Sequence, residues 1–367
     1  MRKGSFVKIL LKVSWMLCFS MSMVGMSFSD PGEPVLVPYI LHGEVDARLV
    51  RWAMQGIQQN FNMELDHAQE TFQRMIDEFP QHPSGYMCMA GLLGFRMEME
   101  RSNEHQKQFD DMVKSSLQAC KREEREGRAV SAFFFRGGTL GYRGYDRARR
   151  KNFLAAVRDG QGMARSLRQA LKLDPFCYDA YFGLGLYEYY ASKYKSKLDF
   201  LPFIGDKREE GIKALQVCIE RAPLTAIPAR AFLMRIYYEE ERYNEACVLA
   251  RWFMEHCPGY WDAYSVKGSS LRKLDRPQEA CLAYRAGIEV LDPSFPQQEY
   301  EQVRIHMKLA ETLEEMDSWE EAIVEYSMVV RWIVAHPEAN TQRIDRIQRK
   351  AQRQIQRLQS QREEALP

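Results

Sequence analysis

Residues 137–150, "GGTLGYRGYDRARR", set Gly137, Gly138, Gly141 and Gly144 among Arg143, Arg147, Arg149 and Arg150. Glycine lets backbone close on a ligand, and guanidinium forks grip oxyanions, so this mixture is what a phosphate-binding loop would need. The Gly-Lys-Ser/Thr of a P-loop is missing, however, and the flanking pattern is helical rather than strand-turn-helix. HExxH and GxSxG are also absent. The histidines are scattered. Glu64 and His67 share a helical face, but two candidate ligands do not make a metal site. Carboxylate pairs such as Glu239 and Glu241 fall at a turn, where solvated charge is the default. No catalytic, metal or cofactor set emerges, and the chain reads as non-catalytic.

The elements around these residues are set by composition and repeat. The 367 residues carry 51 basic and 50 acidic side chains, 46% hydrophobic and 28% charged residues, an ordinary soluble balance with room for one large or two medium domains. Arg2, Lys3, Lys8 and Lys12 precede the uncharged "VSWMLCFSMSMVGMSFS", ending in Ser27-Phe28-Ser29. A basic start, an apolar run and a small-x-small site describe a signal peptide over 1–29, followed by a linker over 30–44. Cleavage removes four cations and leaves a slight acidic excess, so no global basic field remains for nucleic acid. Export to the periplasm or cell envelope follows. The alternative is an anchor through an uncleaved N-terminal segment, for which the uncharged run is short. No later stretch is apolar enough to span a membrane. Apart from Cys18 there are seven cysteines without a CxxC pair, read as small buried hydrophobes. Cys177 with Cys218 and Cys88 with Cys120 are the pairs that antiparallel hairpins would bring close.

Internal similarity decides the fold. In residues 261–293, Tyr264, Gly268 and Leu271 share one helix, Ala280, Tyr284 and Gly287 the next, and Asp292-Pro293 closes the unit. Trp52, Gly56, Ala68, Phe72 and Pro80 keep the same offsets, and Ala246 and Ala280 lie 34 residues apart. Further copies give about seven helix-turn-helix units over 45–336. Inserts fall near 99–108, 139–152 and 194–210, with Gly141 and Gly144 expected to end a helix and turn the chain. Some of the four arginines are expected to brace the last insert through Asp199, Asp206 or Glu209. From Pro337 to the end, Ile344, Ile347, Ala351, Ile355 and Leu358 recur at helical spacing among arginines, giving a basic amphipathic helix over 337–367, read as a cap.

This spacing resembles the tetratricopeptide repeat (TPR). Segments "FFFRGGTLGYRGYDRARRKNFLAAVRDG", "LDPFCYDAYFGLGLYEYY" and "LPFIGDKREEGIKAL" resemble an uncharacterised group of exported bacterial TPR proteins, and the last is similar to part of the tetratricopeptide-repeat-39 family. The resemblance implies an all-α superhelical solenoid of antiparallel helix pairs that binds a protein or peptide without chemistry. First helices would line its concave groove. Phe135, Phe182, Tyr189 and Tyr190 fall at an aromatic end, Arg235, Tyr238, Arg272 and Lys273 in a basic middle, and Glu311, Glu314 and Glu315 at an acidic end. Arg143 is the insert residue expected to touch a partner. The alternative is a lipid- or small-molecule-handling module, or an enzyme, with a pocket in the aromatic half.

Overall fold

The structure, a computed structural model, describes residues 46–99, 102–193, 205–291, 299–335 and 342–365. Among these residues all regular structure is α-helix. Seven hairpins follow one another. They are α1 (Ala47–Phe61) with α2 (Leu65–Glu78), α3 (Pro83–Met99) with α4 (Gln106–Arg125), α5 (Ala129–Arg149) with α6 (Phe153–Leu173), and α7 (Ala180–Lys193) with α8 (Arg208–Arg221). Then come α9 (Ala226–Glu239) with α10 (Tyr243–His256), α11 (Trp261–Lys273) with α12 (Pro277–Val290), and α13 (Glu299–Glu315) with α14 (Trp319–Ala335). A last helix, α15 (Gln342–Ala365), has no hairpin mate among the described residues.

The described residues divide into two compact units, one of 46–60, 64–98 and 102–230, the other of 61–63, 99 and 231–365. In the first, α5 packs on α6, α7 on α8, and neighbouring hairpins meet through α4–α5 and α6–α7. In the second, α11 packs on α12 and α13 on α14, with α10–α11, α12–α13 and α14–α15 joining successive pairs.

One backbone device closes most hairpins. Met63, Lys151, Glu241, Asp275 and Asp317 each adopt a positive φ, between 55° and 64°. Each follows a first helix, and the next residue's N–H reaches back five positions: Glu64 to Gln59 O, Asn152 to Arg147 O, Arg242 to Tyr237 O, Arg276 to Leu271 O and Ser318 to Leu313 O, at 2.7–2.9 Å. This left-handed closure satisfies carbonyls that the helix end leaves over. It usually falls on glycine, and here it falls on side chains that pay a steric cost. The device also corrects one expectation. Helix α5 runs through Gly141 and Gly144 to Arg149 and turns at Lys151. The extra residues near 139–152 are therefore further helical turns, making α5 and α6 21 residues each against 14 for α7 and α8. Around 99–108 the chain instead links two helices: α3 ends at Met99, α4 begins at Gln106, and the described residues 102–105 between them are not helical. Of the segment 194–210, residues 194–204 lie outside the described residues.

Small residues then let the paired helices meet. A Cβ on Gly268 would stand 2.5 Å from the fully buried Tyr284 ring, so only glycine admits that aromatic. Gly185 and Gly211 bring α7 and α8 together backbone to backbone. Ala246, Ala280 and Ala322 occupy matching positions on α10, α12 and α14 with no exposed surface. Helix α15 buries Ile344, Ala351 and Leu358, one stripe at seven-residue spacing, in the same core as Tyr326, Val329 and Ile333 of α14. It is the cap that an apolar array end requires.

Because Lys151 makes its left-handed turn without glycine, Lys151→Gly should stabilise the chain by about 0.5–1 kcal/mol. A denaturant midpoint unchanged or lowered in the variant would contradict this account of the turn.

Candidate functional site

The second unit presents first helices α9, α11 and α13, followed by α15, and their polar side chains form a ladder of ion pairs. Arg235 on α9 donates from Nε to Asp262 Oδ2 on α11 at 2.8 Å, and Asp262 is buried while Arg235 is half exposed. In the last turn of α11, Arg272 reaches α13. Its Nε and Nη2 grip Glu315 at 2.7 and 2.5 Å, and its Nη1 donates to Glu311 at 3.1 Å. Lys350 of α15 closes on the other Glu311 oxygen at 2.5 Å. Glu314 accepts from Arg357, from Gln354 at 3.1 Å and from the Tyr326 hydroxyl at 2.8 Å. Burial pushes the Glu311 carboxyl up, but Lys350 and Arg272 outweigh it and hold it below the usual carboxylate value. Hydrogen bonds to Glu315 lead the groups that raise Arg272 further above its ordinary value.

The expected basic middle and acidic end are thus one neutralised structure rather than two stretches of open charge. Lys273 is exposed and has no acidic partner among the described residues. Tyr238 is half-buried, its ring 5.7 Å from Tyr243. Beneath the ladder lies a polar cluster that sequence reasoning missed. Lys308 of α13 donates to Ser265 Oγ at 2.7 Å and Ser269 Oγ at 2.9 Å, and Tyr284 donates its hydroxyl to Ser269 at 3.1 Å. Burial drives the Lys308 ammonium down to about 8. Nothing in the repeat pattern marks Lys308, because it occupies a position that other repeats fill differently.

The aromatic end of the expected groove is core. Phe135 is 1% exposed and packs edge-on against His82 and Phe134, with centroids at 5.1 and 4.9 Å. Tyr189 and Tyr190 are buried against each other at 5.0 Å. Phe182 is half-buried. First-helix register places these rings inward, but the first unit fills the space with its own side chains.

The glycine/arginine stretch is organised by two buried carboxylates. Asp159 of α6 accepts from Arg143 Nε at 2.9 Å, Arg143 Nη2 at 2.7 Å and Arg147 Nη1 at 2.7 Å. Asp146 pairs with Arg149 at 2.8 Å and Arg150 at 2.7 Å. Arg143 and Arg147 both end on Asp159 and Asp206 pairs with Arg208, while Asp199, another of the bracing partners expected in the 194–210 segment, lies outside the described residues. Gly144 explains the choice. It brings α5 close enough to α6 that an added Cβ would sit 3.2 Å from the Asp159 Cβ.

Other candidates resolve simply. Cys88, Cys120, Cys177 and Cys218 are free and buried, so neither suggested disulfide forms. Burial pushes the Cys88 thiol up to about 12 and the His82 imidazole down to about 4. Glu64 and His67 stand 3.9 Å apart on an exposed face, and no metal-binding group of three such residues occurs among the described residues. No described helix is long and apolar enough to cross a membrane.

With its pKa near 8, Lys308 costs stability while charged. The unfolded chain keeps that proton up to about pH 10.4, so between pH 8 and 10.4 it binds more protons than the folded chain and stability rises with pH. Relative to Lys308→Met, the native chain should gain about 2 kcal/mol between pH 7.5 and 10. Parallel denaturant titrations of the two would show it, and identical pH profiles would refute it.

No protein-family model matches the chain, and no curated protein matches it. Among solved structures it is similar to the C-terminal part of a TPR repeat-containing protein from Cytophaga hutchinsonii, at 16% identity and a TM-score of 0.38, covering 81% of this chain and 98% of that one. It is also similar to the TPR domain of P58(IPK), at 15% identity and a TM-score of 0.26, covering 85% of this chain and 99% of that one. By its own helix order, repeated turn and small-to-aromatic contacts, the chain is an all-α array of tetratricopeptide-type hairpins.

Proposed function

We propose that the protein is an exported, non-catalytic scaffold that binds a protein or peptide on the first-helix face of its second unit. The observation that carries this reading is the ion-pair ladder Arg235–Asp262 and Arg272–Glu311–Lys350, which fixes a polar surface in place before any partner arrives. Pre-ordered side chains lose little entropy on association, and arginine and tyrosine are the residue types that most often dominate such contacts. Lys273 supplies the charge still open to a partner, so the contact it favours is a carboxylate. The reading of a lipid or small-molecule pocket in the aromatic half loses its support, because Phe135 and Tyr189 fill that space as core. The export component rests on the N-terminal basic-apolar-small pattern alone.

A photo-crosslinking amino acid at Lys273, compared with one at the exposed Val248 on second helix α10, tests the proposal in the producing cell. A discrete protein adduct at position 273 and none at 248 is expected, and Arg235→Glu should remove it. Equal labelling at both positions, or lipid as the only adduct, would sink the scaffold reading.

A further inference from the structure

The two carboxylates that hold the glycine/arginine stretch do not balance its charge. Four guanidinia share Asp146 and Asp159, which leaves a surplus of positive charge at the end of α5. Part of that surplus faces a cleft of about 340 Å³ between α4 and α5. Helix α4 contributes the long side of the cleft over three turns, from Asp110 to Lys121, and α5 contributes Arg143.

Arg143 is held ready there. Its Nε and Nη2 are both committed to the buried Asp159, which fixes the plane of the guanidinium, while its Nη1 has no acceptor among the described residues. Lys114 and Lys121 stand two helical turns apart on the same side of α4, are exposed, and have no acidic partner among the described residues. The one acid in the lining, Asp110, already accepts from Gln106 at 3.3 Å and lies 3.9 Å from Arg150. Three cations therefore converge on a cleft whose single carboxylate is shared elsewhere. Like charges held close repel unless an anion compensates them. The floor has a different character. Val113 is buried beside Lys114, and Leu117 is half-buried between the two lysines. The volume falls at the small end of the range for small-molecule sites, which combine an apolar lining with a few placed polar groups.

We propose that this cleft binds a small amphiphilic anion, a phosphate or carboxylate head on a short alkyl body. Arg143 Nη1 and the two lysines take the head, and Val113 and Leu117 lie under the body. A bidentate-held guanidinium presents a directed donor, and the flexible lysines add charge without geometric demand. The head can belong to a soluble compound or to a lipid, since both present the same chemistry to the cleft. The site lies wholly in the first unit and does not depend on the partner-binding face of the second. Loss of either leaves the other testable.

Titration calorimetry of the full chain with octyl phosphate, below its micelle concentration, tests the proposal. Saturable binding is expected, weakening as salt rises. Inorganic phosphate should bind about tenfold or more weakly because it leaves Leu117 uncovered, and octanol should not bind. The double variant Lys114→Gln, Lys121→Gln changes only exposed side chains. It should unfold at the native temperature and bind octyl phosphate about tenfold or more weakly. Lys172→Gln, exposed on α6, should bind as the native chain does. Arg143→Lys keeps the charge, loses the fork and should fall between. Phosphatidylcholine vesicles doped with phosphatidic acid decide the source: co-sedimentation assigns the head to a lipid, and its absence beside octyl phosphate binding assigns it to a soluble compound. Failure to bind octyl phosphate overturns the proposal, as does equal binding by the double variant or equal affinity for inorganic phosphate.

Discussion

Where each first helix stops determines everything a partner could meet. The left-handed residue after the helix, with its five-back hydrogen bond, fixes the length of the first helix and the angle at which the second returns. The small residue on the first helix then has to lie opposite the aromatic on the second, as Gly268 lies opposite Tyr284. With that contact made, the remaining faces of the first helix are assigned. One side goes to the neighbouring hairpin, and the other carries Arg235, Arg272 and Lys273. The conformation is costly for Lys151 or Glu241, yet it recurs in five hairpins. Leaving the helix-end carbonyls unpaired between packed helices would cost more than one strained residue.

Within this frame the charged residues follow a single rule: a buried carboxylate organises the arginines around it. Asp159, Asp146 and Asp262 are each almost wholly buried and each meets a guanidinium from another turn or another helix. Burying a carboxylate alone is expensive, and a fork of charge-assisted hydrogen bonds offsets that expense while fixing where the arginine points. The arginines are correspondingly part exposed, with their stems on the fold and one edge toward water. Arg143 is structural on one edge and available on the other.

The sequence displayed the fold far more clearly than the site. The offsets Gly56 to Phe72 and Gly268 to Tyr284 are contacts between neighbours in one hairpin, and a short-range contact leaves its spacing in the sequence. The cap was readable for the same reason, since Ile344, Ala351 and Leu358 repeat at one interval. The helix end at Lys151 was not, because the usual glycine signal is present at Gly141 and Gly144, inside α5, where Gly144 serves helix contact, and absent where the turn is made. The groove failed for a different reason. Register predicts which way Phe135 and Tyr189 point, but whether inward means open or filled depends on side chains from other helices, such as His82 against Phe135. Pairs such as Arg272 with Glu315 join residues 43 apart on separate helices, and no local spacing marks them.

The basic tail shows how such long-range pairing changes the meaning of composition. Arginines along α15 resemble a polyanion-binding helix when counted, yet its apolar stripe is already spent on the core and several of its cations answer acids on α13 and α14. Lys350 meets Glu311, Arg357 meets Glu314 and Arg362 meets Glu320. Glu311 is thereby shared between the tail and Arg272, so the cap also sets the electrostatics of the face beside it. An acid held between two cations is a poor attractant for a third, and a cation clamped by two acids is a poor anchor for a distant carboxylate. What the ladder leaves to a partner is shape along its length and charge at Lys273. Recognition on such a surface depends more on fit to an ordered face than on the gross sign of its residues.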